Sequence, residues 1–156
     1  MSSAIEIVRL TRGDAELVKD LLTVFADAFD EPETYNDRRP DDRYLDRVLA
    51  SDTCIALAAR EGQTIVGGLV AYELPKIEQV RSEIYIYDLA VTKVARRQGV
   101  ATGLIRQLQR IAADRDAWVI FVQADHGDDA AISLYSKLGA REDVLHFDID
   151  VDHADG

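Results

Sequence analysis

The sequence predicts an α/β protein built on a mixed central sheet with helices packed on both faces. Three observations carry that expectation. Apolar stretches alternate between strand-like and helix-like spacing in the order β α α β β β α β α β, without repeats or a linker. The longest aromatic and β-branched run, residues 83–91, leads through a basic, glycine-containing turn into an amphipathic helix. Residues 144–150 alternate strictly, with Leu145, Phe147 and Ile149 on one side and His146, Asp148 and Asp150 on the other. The length of 156 residues suits one domain with a real core, and residues 151–156 read as a frayed tail.

Residues 5–10 form the first strand, broken by Thr11-Arg12-Gly13-Asp14, with Asp14 as the N-cap of the first helix. Leu17, Val18, Leu21, Leu22, Phe25 and Phe29 mark one face of that helix, which runs for about four turns. Residues 30–42 are polar, with Pro32 and Pro40 as breakers, and carry Asp30, Glu31, Glu33, Asp37, Asp41 and Asp42. That acidic run is either a solvated loop or the rim of a cation-binding cleft. A short helix over 41–50 comes next, burying Tyr44, Leu45, Val48 and Leu49.

Residues 53–60 and 64–74 read as a hairpin around Glu61-Gly62-Gln63, and Gly67-Gly68 marks a bulge or a close backbone approach. The strand 83–91, a helix over 100–114 and a strand over 117–124, apolar almost throughout, come after it. A helix over 128–138, with Gly139 as C′, precedes the last strand.

A formal net charge of −11 and a pI near 4.6 argue against nucleic acid as the main partner, since phosphate binding needs a basic footprint. Cys54, the only cysteine, sits in an apolar run and reads as a buried structural thiol. No cysteine spacing suggests a metal site, so no metal is expected. Nothing resembles a signal peptide or a membrane span, and a cytoplasmic protein is the expectation.

The chemistry is expected where the strand meets the basic turn. Arg96-x-x-Gly99-x-Ala101 at a helix start turns several N–H groups toward one point, and its two arginines favour a phosphate. The Gly-Lys-Ser/Thr of a triphosphate loop is missing, and so is Gly-x-Gly-x-x-Gly. Asp88 is a charge inside an apolar strand, which points to a functional role or to an ion pair.

Arg96-x-x-Gly99-x-Ala101 after Asp88-Leu89-Ala90-Val91 resembles the acetyl-CoA pyrophosphate motif of the GNAT superfamily of N-acetyltransferases. Asp128-x-x-Ala131-x-x-Leu134-Tyr135-x-x-Leu138-Gly139 resembles the superfamily's second motif, which usually has Asn in place of Asp128. Residues 82–91, Val122-Gln123-Ala124-Asp125 with Gly127-Asp128-Asp129, and residues 146–150 are similar to the gentamicin-resistance type of aminoglycoside 3-N-acetyltransferase.

The resemblance implies a mostly antiparallel twisted sheet, acetyl-CoA as cosubstrate, a polycationic aminoglycoside as acceptor and a homodimer. It implies that Arg96, Arg97, Gln98, Gly99, Val100, Ala101 and Thr102 hold the pyrophosphate. The pantetheine arm would then pair with Leu89, Ala90 and Val91, where an N–H of Leu89 or Val91 meets the oxyanion. Tyr135 would protonate the departing thiolate, its alternative being a core tyrosine. Asp88, and after it His146, are the candidate bases. Acceptor contacts are expected from Glu31, Tyr35, Asp88, Asp125, His126, Asp128, Asp129, His146 and Asp148. The rival readings are acetylation of a polyamine or a protein amine, and a non-catalytic acyl-CoA-binding module.

Overall fold

A computed structural model describes residues 4–37 and 39–153. The chain divides into two units, residues 1–123 and 124–156.

The first unit holds one five-stranded sheet in the order β1-β2-β3-β4-β5: Ile5–Leu10, Cys54–Glu61, Thr64–Pro75, Ser82–Val91 and Ala117–Val122. The first four strands pair antiparallel, and β5 pairs parallel to β4. Three helices accompany the sheet: α1 (Ala15–Phe29), α2 (Asp42–Leu49) and α3 (Val100–Asp114). This is the mixed sheet expected from the sequence, with β5 ending two residues early. The first unit therefore accounts for every expected strand but the last.

The two faces are legible in the register. Ala58, Gly68 and Ala90 lie side by side, and Ala58 and Ala90 pack in one cluster with Leu21, Val24 and Phe25 of α1. Leu57, Leu69 and Leu89 are the neighbouring row and so point the other way, toward α3 with its buried Leu104 and Leu108. Because β2 is covered on both sides, residues 54–59 are all buried. Cys54 is among them, free and with its thiol pKa pushed up by burial, as a structural cysteine should be.

Gly67-Gly68 proves to be both things the sequence suggested. The β2–β3 register shifts beside it, between Ala59 and Arg60. A Cβ on Gly68 would stand 2.3 Å from Leu21 Cδ1 and 2.8 Å from the Leu57 carbonyl, so α1 reaches the sheet only because that side chain is missing. Arg115, just beyond α3, ties that helix end to the hairpin by bonding Glu73 and the Asp52 carbonyl. Glu73 also accepts from the buried Ser82 hydroxyl.

One capping expectation needs correction. Asp14 does not cap α1 through its side chain; its carboxylate turns back and accepts from the Thr11 N–H at 2.7 Å. At the next helix a side chain does cap: Asp41 accepts from the Tyr44 N–H at 2.9 Å and opens α2.

The second unit contains α4 (Asp129–Leu138), capped by the Asp128 carboxylate accepting from the Ala131 N–H at 3.2 Å. Gly139 comes next with φ −152°, extended rather than in the left-handed form a C′ glycine usually takes. The strand expected over 144–150 does not form: residues 140–153 belong to no strand, and Leu145, Phe147 and Ile149 are exposed. Alternation describes a strand that has found a neighbour, and it supplies no neighbour by itself. Among the described residues, no helix is long and apolar enough to cross a membrane.

Candidate active site

The site begins with an irregularity in β4. Val70 pairs with Asp88 but Ala71 pairs with Ile86, so Tyr87 has no partner on β3 and forms a β-bulge. The extra residue shifts the alternation. Ile84 and Ile86 share the α3 side with Ala71, whereas Tyr85 lies on the α1 side beside Tyr72. After the bulge it is Asp88 and Ala90 that face α1. Unbroken alternation would have buried Asp88 beside Ile86.

Asp88 is partnered by a tyrosine, not by an arginine. Beyond α1, Asp30 is left-handed at φ 53° and its N–H bonds the Ala26 carbonyl. One π-helical turn over Glu33–Asp37 then swings Tyr35 back against Phe25 and Phe29, at ring-centroid distances of 5.9 and 5.6 Å. From there the Tyr35 hydroxyl donates to Asp88 Oδ1 at 2.9 Å. Burial pushes the Asp88 pKa up, the Tyr35 hydrogen bond opposes that, and the charge of Glu31 adds to it. The Tyr35 phenol is itself driven up by burial and by its bond to Asp88, so it stays a proton donor.

Past the bulge, β4 has a neighbouring strand on one side only among the described residues. The parallel ladder to β5 ends at Ile86 and Val122, while β4 runs on to Val91. The Thr92 N–H donates to the Val66 carbonyl of β3, so by the two-residue alternation Leu89 and Val91 direct their backbone groups away from β3. The Val91 carbonyl does so visibly, accepting from Arg96 Nε at 3.3 Å. An extended chain could therefore pair with Leu89–Val91 as a further strand, the place where the family resemblance puts a pantetheine arm.

The basic turn completes this corner. A 3₁₀ turn, Lys93–Ala95, leads to Arg97 at φ 64° and Gly99 at φ 76°. Gly99 is the N-cap of α3, and no side chain caps that end. The Gly103 N–H already bonds the Gly99 carbonyl, leaving the N–H groups of Val100, Ala101 and Thr102 in the uncapped first turn. With Arg96, Arg97, Gln98 and Gly99 all exposed around it, the turn offers the donors and positive charge that a pyrophosphate requires.

In the second unit, Asp125, His126, Asp128 and Asp129 lie exposed on the loop and first turn leading into α4. Tyr135 is half-buried on α4, with its phenol pKa raised by burial and by Asp128. His146 Nε2 and an Asp148 carboxylate oxygen are 2.8 Å apart, and both side chains are exposed. They are a local pair in a segment that belongs to no strand, not two positions on a sheet face.

Sequence reasoning missed the aromatic surroundings of Asp88. Tyr72, Tyr85, Tyr87 and Phe121 come from three strands and form one row, with centroid separations of 6.1 Å from Tyr72 to Tyr87, 5.7 Å from Tyr87 to Tyr85 and 4.7 Å from Tyr85 to Phe121. The only signal in the chain was the period-two spacing of Tyr85 and Tyr87, which the strand itself already explained.

An open strand end, an uncapped basic helix start and a hydrogen-bonded carboxylate are features that an acyl-CoA-dependent transfer would use. Residues 18–140 match the Acetyltransferase (GNAT) family, and the chain belongs to it. Family members transfer acetyl from acetyl-CoA to an amine.

Among solved structures, the chain is 54% identical to an aminoglycoside acetyltransferase from an uncultured soil metagenomic sample, at TM-score 0.94, over 96% of this chain and 99% of that one. A second aminoglycoside acetyltransferase from such a sample, solved in complex with sisomicin, is 31% identical at TM-score 0.87, over 95% of this chain and 97% of that one. A curated relative, N-acetyltransferase 8B of Rattus norvegicus, is 25% identical over 89 residues, 57% of this chain. The match spans only 40% of that relative's length.

Proposed function

We propose that this protein is an aminoglycoside N-acetyltransferase that acetylates the 3-amino group of the 2-deoxystreptamine ring in gentamicin-type antibiotics and so confers resistance to them. The observation that carries the reading is Asp88, a carboxylate turned by a bulge onto the α1 face and held by Tyr35, one residue from the open strand end. The two aminoglycoside acetyltransferases, similar over nearly the whole chain, support the acceptor class. The 3-amino position rests on the resemblance of residues 82–91, 122–125, 127–129 and 146–150 to the gentamicin-resistance type.

In this reading the turn from Arg96 to Thr102 holds the acetyl-CoA pyrophosphate, and Leu89, Ala90 and Val91 take the pantetheine arm as an added strand. An acceptor amine with a pKa near ~10 arrives as ammonium and must lose a proton before it attacks. Asp88 takes that proton, directly or through water, and its raised pKa brings it closer to the working pH of a base. As the amine nitrogen bonds the thioester carbon, the carbonyl oxygen gains charge, and the Leu89 or Val91 N–H stabilises it. The C–S bond then breaks, and Tyr135, kept protonated by its raised pKa, gives its proton to the CoA sulfur. Glu31, Asp125, His126, Asp128, Asp129, His146 and Asp148 serve the other ammonium groups of the acceptor, and His146 is the second candidate base. A homodimer is part of the same reading, checked by sedimentation.

The test is an acceptor panel of gentamicin, sisomicin, spermidine and lysine-containing peptides, read by CoA thiol release, with the product position assigned by NMR. Acetylation of gentamicin at the 3-amine supports the proposal. Preference for spermidine or a peptide, or no thiol release with any amine, overturns it.

A further inference from the structure

The row Tyr72, Tyr87, Tyr85 and Phe121 has no role in the transfer as described. Buried, it would be ordinary core, but Tyr87 is 66% exposed and Tyr72 37%. Rings kept partly in water across three neighbouring strands are costly unless something covers them in use. Their placement is built in several ways. The bulge puts Tyr85, Tyr87 and Asp88 on one side of β4. Tyr72 pairs with Tyr85 from β3, and Phe121 pairs with it from β5. The Tyr85 hydroxyl is anchored by donating to Gln123 Oε1 at 2.9 Å. Burial raises the pKa of both Tyr72, to about 12, and Tyr85, with a smaller addition from the Asp88 charge among other neighbours, so these phenols remain neutral.

The chemistry of such a surface is specific. Aromatic faces carry partial negative charge, which attracts ammonium groups and the polarised C–H bonds of a sugar ring. A carboxylate at one end adds full charge, reinforced by Glu31, which acts on Asp88 and Tyr35 alike. A flat face with negative charge at one end suits a ring that is apolar across its faces and cationic at its rim.

We infer that Tyr72, Tyr87, Tyr85 and Phe121 form a stacking platform for the sugar rings of a cationic amino-sugar acceptor, with Asp88 marking the end where its reacting amine lies. The inference rests on the proposed acceptor class and adds how that acceptor is held and which residues set its selectivity over linear polyamines. A linear polyamine has charge to offer Asp88 but no ring face to lay on the tyrosines.

The experiment is gentamicin titrated by calorimetry into CoA-free protein, compared with CoA titrated into the same samples. The samples are the wild type, Tyr87→Leu, Tyr72→Leu and the conservative Tyr72→Phe. Each leucine variant is expected to weaken gentamicin binding about tenfold, Tyr72→Phe to retain it because the ring face remains, and CoA affinity to stay unchanged. Spermidine affinity should barely move.

Equal gentamicin affinity in wild type and both leucine variants overturns the platform while leaving the acceptor class intact. A wild type that binds no aminoglycoside overturns the acceptor class, and the platform with it. If the leucine variants change sedimentation or Tm but not gentamicin affinity, the rings are covered by protein, either residues 144–151 or a second copy, and the platform is wrong.

Discussion

Tyr35→Phe tests the centre of the site with one atom. The hydroxyl gives Asp88 its side-chain hydrogen bond, the one influence holding its pKa down against burial and Glu31. Removing it must raise the Asp88 pKa. A hydrogen bond to a charged group contributes ~1.5–3 kcal/mol, and the partial exposure of Asp88 argues for the lower end of that range. About 1.5 kcal/mol is roughly a tenfold change in the proton equilibrium. A base works only when ionised, so the acid limb of the kcat/KM–pH profile should move to higher pH. On that limb kcat/KM should fall about tenfold, while the two enzymes converge on the alkaline plateau. The assay is thiol release with gentamicin from pH 5 to pH 9 at fixed ionic strength. Superimposable acid limbs would refute the argument, because Asp88 would then be neither the base nor coupled to it. A uniform loss at every pH would assign Tyr35 to positioning alone.

The same geometry sets three further outcomes. Asp88→Asn should cut kcat ~100-fold or more and also change how stability depends on pH. The folded pKa of Asp88 is raised, so from the ordinary aspartate range upward the unfolded chain ionises first, and wild-type stability declines until the folded group has ionised too. The variant lacks that decline, so its Tm relative to wild type should rise between pH 4 and pH 8; parallel Tm–pH curves would contradict this. Tyr135→Phe should lower kcat ~100-fold while KM for acetyl-CoA stays nearly constant, and an unchanged kcat would remove Tyr135 from the mechanism. Gly68→Ala drives a methyl into Leu21 and the Leu57 carbonyl, an overpacking of ~1–3 kcal/mol that should lower Tm by ~3–10 °C. An unchanged Tm would mean that α1 moves off the sheet at no cost.

What the sequence could reveal depended on whether a feature is local. The basic turn was readable because its chemistry lies within seven consecutive residues and needs only a helix start behind them. Gly67-Gly68 was readable because a missing side chain inside a strand has few other uses. Asp88 could be singled out but not oriented. Its direction depends on the extra residue at Tyr87, and a bulge is defined by what the facing strand does. The Tyr35 bond was out of reach for the same reason, since it joins residues 53 positions apart through one π-helical turn. Residues 144–150 show the opposite failure, a clear local pattern without the strand it advertises.

The bulge in β4 coincides with a second change in that strand. From Tyr87 onward the strand borders β5 no longer, so a central strand becomes a border strand partway along its length. Exposed backbone borders invite other chains to attach, and sheet proteins commonly blunt them by keeping them short or twisting them away. Here the stretch bordered by β3 alone covers only residues 87–91, and it begins with a bulge that increases local twist. The irregularity that turns Asp88 onto the α1 face therefore also marks where this short, twisted border begins, a shape ill suited to fibre-like pairing.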